Sequence, residues 1–137
     1  QIAGMCSPFN EIHAAMSALK ANDFPAYKSI LNNMKSRAQG NSELAPAYKE
    51  VAVPVAEAMN RFVNEDYKKA LNVLLPVQAS LWRMGGSVAQ RDLIEWTMVE
   101  AGIRAGEKNV AMSLIYERLS CKPDSVINAR MMGDIGA

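Results

Sequence analysis

Histidine occurs once in the 137-residue chain and cysteine twice, so the residue types that bind transition metals or run nucleophilic catalysis are nearly missing. One imidazole at His13 and thiols at Cys6 and Cys121 supply no clustered soft ligands, so no metal is expected. Nucleophilic catalysis needs a serine or cysteine beside a base, and His13 is the one ordinary base. Two thiols at opposite ends do not make a disulfide framework; they read as the reduced cysteines of a cytoplasmic protein. No apolar run approaches the roughly 20 residues that cross a bilayer. The start Gln1-Ile2-Ala3-Gly4 has no basic stretch followed by an apolar one, so no signal peptide is visible, and without an initiator Met the chain reads as a processed product or a fragment. Charge excess is missing too: 15 Lys and Arg face 14 Asp and Glu. The cations are dispersed singly or in pairs such as Lys68-Lys69, which argues against a nucleic-acid partner.

Apolar residues make up 50% of the chain, and 137 residues suffice for one domain with a real core. Their spacing is helical throughout, and no stretch alternates with period two long enough to make a strand. Ser7-Pro8 is an N-cap with proline in the first turn, and Phe9, Ile12, Met16 and Leu19 follow on one stripe. Asn22-Asp23 breaks that helix, and Phe24-Pro25 opens a second with Tyr27, Ile30, Leu31 and Met34 inward. Residues 38–42 are a loop with a short helix after it, and Pro54 is expected to start the third main helix, carrying Val55, Met59 and Phe62. Asn64-Glu65-Asp66 turns into a fourth helix with Ala70, Leu71 and Leu74, which Pro76 must kink or end. Gly85-Gly86 stops the chain, and Ser87 with Gln90 fits a capping box for a fifth helix. That helix is apolar on two sides, with Ile94, Met98 and Ala101 on one and Trp96, Val99 and Ile103 on another, so it is sandwiched between neighbours. A sixth helix carries Val110, Ala111, Leu114 and Ile115, and a short one follows over 125–133.

The second helices of these pairs repeat one another. Tyr67, Ala70, Val73 and Leu74 align with Lys108, Ala111, Leu114 and Ile115 at one offset, and with Phe24, Tyr27, Ile30 and Leu31 at another. A period of about 40 built of helix, turn and helix marks an α-solenoid, in which each pair stacks on the next to hide its apolar face. The expected fold is all-α: a right-handed α-α superhelix of three stacked tetratricopeptide-like pairs (7–38, 54–84 and 87–121) in a single domain, plus the C-terminal helix.

Several runs carry a family likeness. They are Asp66-Tyr67, Leu74-Leu75-Pro76, Gly85-Gly86-Ser87-Val88-Ala89-Gln90-Arg91-Asp92, Asn109-Val110-Ala111, Glu117-Arg118-Leu119, and Phe9-Asn10-Glu11-Ile12-His13 with Met16. Together they resemble the C-terminal part of the tetratricopeptide repeat protein 38 family. Glu11 stands where the family pattern has aspartate, and family members continue with further helical repeats ahead of position 1. The resemblance implies a helical-repeat scaffold and no reaction; a fragment that has lost the preceding repeats should expose Phe9 or Ile12 at its open end unless self-association covers them.

Chemical readings of single residues compete with plainer ones. His13 lies between Phe9, Ile12 and Met16, where a lone histidine is a packed core or interface residue, and Glu11, two positions away, does not face it. Arg91-Asp92 beside the Gly85-Gly86-Ser87 turn suggests an anion grip, yet Asp92 would take the helix N-terminus itself and Arg91 would link to a neighbouring helix. The turn lacks the spacing of a phosphate loop. Met16, Met34, Met59 and Met98 read as core, whereas Met84 and Met131-Met132 could form an adaptable contact surface. The leading functional reading is a non-catalytic scaffold, without a cofactor, that takes a protein or peptide into a concave groove lined by the first helix of each pair. Residues outside the core stripes on those helices, namely Lys20, Asn60, Arg61, Glu95 and Arg104, are the candidate contacts. The second reading is a structural cap or homo-oligomerisation module of a longer solenoid, and the third a small-molecule enzyme using His13 or the Arg91-Asp92 turn.

Overall fold

In a computed structural model that describes residues 7–86 and 88–121, proline placement, side-chain caps and left-handed turn residues divide those residues into six helices. No strand occurs among the described residues. Helix α1 (Pro8–Lys20) starts with the Ser7 hydroxyl accepting the Asn10 backbone N–H at 3.2 Å. Helix α2 (Phe24–Ala38) starts in the same way, with the Asp23 carboxylate accepting the Ala26 N–H at 3.2 Å. Each cap satisfies one of the N–H groups a helix start leaves without a partner.

Helix α3 departs from expectation. It begins at Ala45, not at Pro54, and runs unbroken over residues 45–63 through a π turn at Tyr48–Ala52. Pro54 has no N–H to give, and its ring would strike the carbonyl one turn back in a regular helix. The widened turn just before it relieves that conflict, so the helix bulges where a break was expected. Helix α4 (Tyr67–Leu74) meets Pro76 differently, tightening into a 3₁₀ segment over Leu75–Met84 that stops at Gly85, φ +85°. Helices α5 (Val88–Arg104) and α6 (Lys108–Cys121) complete the order.

The three turns inside the pairs are one structure repeated. Asn22, Glu65 and Gly106 all sit in the left-handed region, at φ 58°, 64° and 79°. At each, the next residue donates its N–H to the carbonyl five positions back: Asp23 to Ala18, Asp66 to Arg61 and Glu107 to Gly102, every one at 2.9 Å. The turn residues themselves donate three positions back, to Leu19, Phe62 and Ile103. This is a Schellman helix stop. Its recurrence follows the same spacing as the aligned second helices and rests on backbone geometry instead of side-chain pattern.

Packing links neighbours in chain order. Within pairs, α1 lies on α2, α3 on α4 and α5 on α6. Between pairs, α1 and α2 pack on α3, the 3₁₀ segment on the π turn, and α4 on α5. Among the described residues no substantial packing joins α1 or α2 to α5 or α6. The core is therefore a continuous layer through the stack, formed by Ile12, Tyr27, Met34, Val51, Val55, Leu71, Leu74, Met98 and Ile115 among others. Ala70 and Ala111 at the aligned crossing positions are fully buried. At Gly102 a Cβ would come within 3.1 Å of the Ala111 Cβ, so α5 and α6 meet tightly at a crossing built from two small residues.

Polar links hold adjacent units in register. The Tyr27 hydroxyl on α2 donates to the Ala56 carbonyl on α3 at 3.0 Å, inside the core. Glu11 on α1 takes the Arg37 guanidinium at 2.9 Å and also accepts the Tyr48 hydroxyl, so one carboxylate joins three helices. Two expectations are corrected. Phe9 and Ile12 are not exposed at the start of the stack, with 8% and 1% of their surfaces accessible. Met84 is fully buried and offers no contact surface. The Ser87 cap with its Gln90 side chain, Cys6, Met131-Met132 and the helix over 125–133 lie outside the described residues or side chains.

Candidate functional site

The first helices of the three pairs border one open trough of about 520 Å³. His13, Met16, Ser17, Leu19 and Lys20 of α1, with Asn22 beyond it, form one wall; Met59, Phe62 and Val63 of α3 form the floor; Leu93 and Thr97 of α5 form the other wall. Repetition places several of these groups: Met16 and Met59 occupy equivalent positions one unit apart, as do Lys20 and Val63. Val63 and Leu93 are 45% and 42% exposed, a large apolar exposure for side chains of helices whose other faces are buried. The trough is thus apolar at its base, with hydroxyl, amide, imidazole and ammonium groups on its rims.

His13 lies on this surface, not in the core. It is exposed, and its ring leans on Phe9 with centroids 5.1 Å apart. Its residue type and helical phase suggested the inner stripe; the trough cuts into that stripe and leaves the imidazole in solvent.

Of the five candidate contacts, Lys20 alone borders the trough. Asn60 accepts the Asn64 amide at 3.0 Å at the end of its own helix. Arg61 is exposed and lies 3.8 Å from Asp66 in the α3–α4 turn. Arg104 donates to Glu100 at 2.9 Å and to the Tyr67 hydroxyl at 3.1 Å, and its guanidinium covers the rings of Phe62 and Tyr67 at 5.7 and 5.4 Å. The Tyr67 hydroxyl and then Glu100 raise its pKa further above the ordinary arginine value. It is a clamp between the second and third pairs. Glu95 faces α6, where it accepts from Arg118 at 3.3 Å.

The roles expected of Arg91 and Asp92 are exchanged. Arg91 donates to the Gly86 and Gly85 carbonyls at 2.6 and 3.4 Å, pinning its own turn, while Asp92 makes the link across helices by accepting from Arg118 at 3.2 Å. Arg118 is 8% exposed and also stacks over Trp96 at 5.3 Å. The arrangement is that of a buried cation neutralised by two carboxylates. A separate hollow of about 250 Å³ beside it is lined by Gln78, Leu81, Trp82, Arg91, Asp92 and Glu95. An anion entering there would meet two carboxylates, which removes the anion grip. Among the described residues no group of three or more His, Cys, Asp or Glu is placed to hold a metal ion, and no helix is long and apolar enough to cross a membrane.

No protein-family model matches the chain, and no solved structure matches it significantly.

Proposed function

We propose that this chain is a non-catalytic helical-repeat scaffold of tetratricopeptide type, a right-handed α-α superhelix that holds a segment of another protein in the trough across α1, α3 and α5. The observation that carries the reading is the trough's composition and position. The first helix of every pair contributes to it, and Met16, Leu19, Met59, Phe62, Val63 and Leu93 supply an adaptable apolar base. A groove with an apolar base and polar groups at its margins is the kind of surface that takes a helix or peptide segment. Three turns with the same Schellman geometry support the solenoid reading, and so does the absence of substantial packing between the first and last pairs among the described residues. The likeness to the C-terminal part of the tetratricopeptide repeat protein 38 family agrees with both.

Val63→Glu and Leu93→Glu place charges on the floor and wall at exposed positions, so stability should stay within about 0.5 kcal/mol of the parent. Partner recovery from the native extract should drop at least about tenfold, equal to about 1.4 kcal/mol. Trp82→Glu, in the separate hollow, should leave recovery intact. Equal recovery by all four proteins would place the binding surface elsewhere and end the trough reading.

A further inference from the structure

The shape and charge of the trough point to its occupant, and we infer that it takes one amphipathic helix of a partner, apolar on the docked face and carrying carboxylates next to Lys20. The inference rests on the groove reading above and adds the partner's conformation and charge. The trough is lined from α1, α3 and α5 together and lies open to solvent. An open apolar surface contributed by three helices suits the docked side of a helix of about 10 Å diameter. A small apolar ligand fits less well, because such ligands are held in pockets that bury about 70–90% of their surface. Here the floor and wall residues Val63 and Leu93 stay nearly half exposed.

The charge of the trough is one-sided. Among the described residues lining it, Lys20 carries the one full charge and no carboxylate is present. Lys20 ends α1 at the rim, and Arg61 flanks Phe62 and Val63 at the end of α3, half exposed and 3.8 Å from Asp66. A docked helix whose apolar residues recur at i, i+3, i+4 and i+7 would set Leu, Met or Phe onto Met16, Met59, Phe62 and Leu93. An aspartate or glutamate flanking that stripe meets the Lys20 ammonium, whereas a lysine there meets a like charge.

The test uses two fluorescein-labelled synthetic peptides of about 18 residues, long enough to form a helix. They share one leucine- and methionine-rich face, flanked by glutamates in the first and by lysines in the second. Anisotropy titrations at low salt should show the acidic peptide binding about three- to fivefold more tightly, the range expected of a rim ion pair. The preference should shrink as salt rises. Lys20→Gln should erase it and Lys20→Glu should reverse it; both change an exposed side chain in the last turn of α1. Equal binding of the two peptides, or an unchanged preference in Lys20→Glu, overturns the acidic-partner inference while the groove reading stands. Binding of neither peptide overturns both.

Discussion

The Tyr27 hydroxyl is the most informative place to perturb the stack, because it joins the first helix pair to the second from inside the core. Tyr27 is 3% exposed, and its hydroxyl donates to the Ala56 carbonyl at 3.0 Å. Burial, aided by the Glu57 charge and opposed by Arg61, raises its pKa from 10.0 to about 12. The unfolded chain therefore releases this proton at lower pH than the folded one. Between pH 10 and 12 the unfolded state binds fewer protons, so stability falls as pH rises, and it is unaffected by this group below pH 10. Two pKa steps at about 1.4 kcal/mol each give a loss of about 2–3 kcal/mol across that window. Tyr27→Phe removes the titration and the hydrogen bond together, at a cost of about 1–2 kcal/mol at pH 8, where the Ala56 carbonyl loses its donor. Urea unfolding at intervals from pH 8 to 11.5 measures both effects. The difference in stability between parent and Tyr27→Phe should narrow steadily above pH 10. Parallel curves for the two proteins throughout that range would show that Tyr27 is not held neutral between the units.

Further outcomes follow from other contacts. Glu65→Gly should stabilise the fold by up to about 1 kcal/mol in urea, since a non-glycine residue in the left-handed region costs about 1–2 kcal/mol and the equivalent third turn already uses Gly106. Gly102→Val should cost about 1–3 kcal/mol by overpacking against Ala111, and adding Ala111→Gly should recover part of it, as read by the urea midpoint. Arg118→Ala takes the buried cation from Asp92 and Glu95, and thermal unfolding should show a loss of about 3 kcal/mol or more. Arg91→Ala, which loses bonds at an exposed turn, should cost about 1 kcal/mol or less by the same measurement.

Helix count and the inward faces were legible because apolar spacing and turn residues report directly on both. Ala70 and Ala111, aligned from sequence, are both fully buried, and Met34, Met59 and Met98 are core residues as read. The π turn before Pro54 was not legible. A proline marks a conflict within a helix without saying whether the chain breaks or bulges, and packing on α2 and the 3₁₀ segment accompanies the bulge. The trough was half legible. Its place on the first helices follows from stacking, but periodicity shows which face is apolar, not where that face stays uncovered. Met16 and Phe62 therefore looked like core or filler, and Leu93 drew no reading. The polar candidates went astray for a related reason. Glu95 and Arg104 lie outside the core stripe, yet each finds a partner on a helix distant in sequence, Arg118 and Tyr67. A charged residue's phase around its helix does not reveal what stands opposite it.

The trough itself is tested most directly by methyl NMR of the methionines, which sample bound and buried surfaces in one spectrum. Met16 and Met59 line the trough, while Met34 on α2 and Met84 in the 3₁₀ segment are fully buried elsewhere. Titration with the acidic helical peptide should shift the Met16 and Met59 methyl signals saturably and leave those of Met34 and Met84 in place. Saturable binding that leaves Met16 and Met59 unmoved, or that moves all four alike, would contradict the assignment of the α1–α3–α5 face as the binding surface.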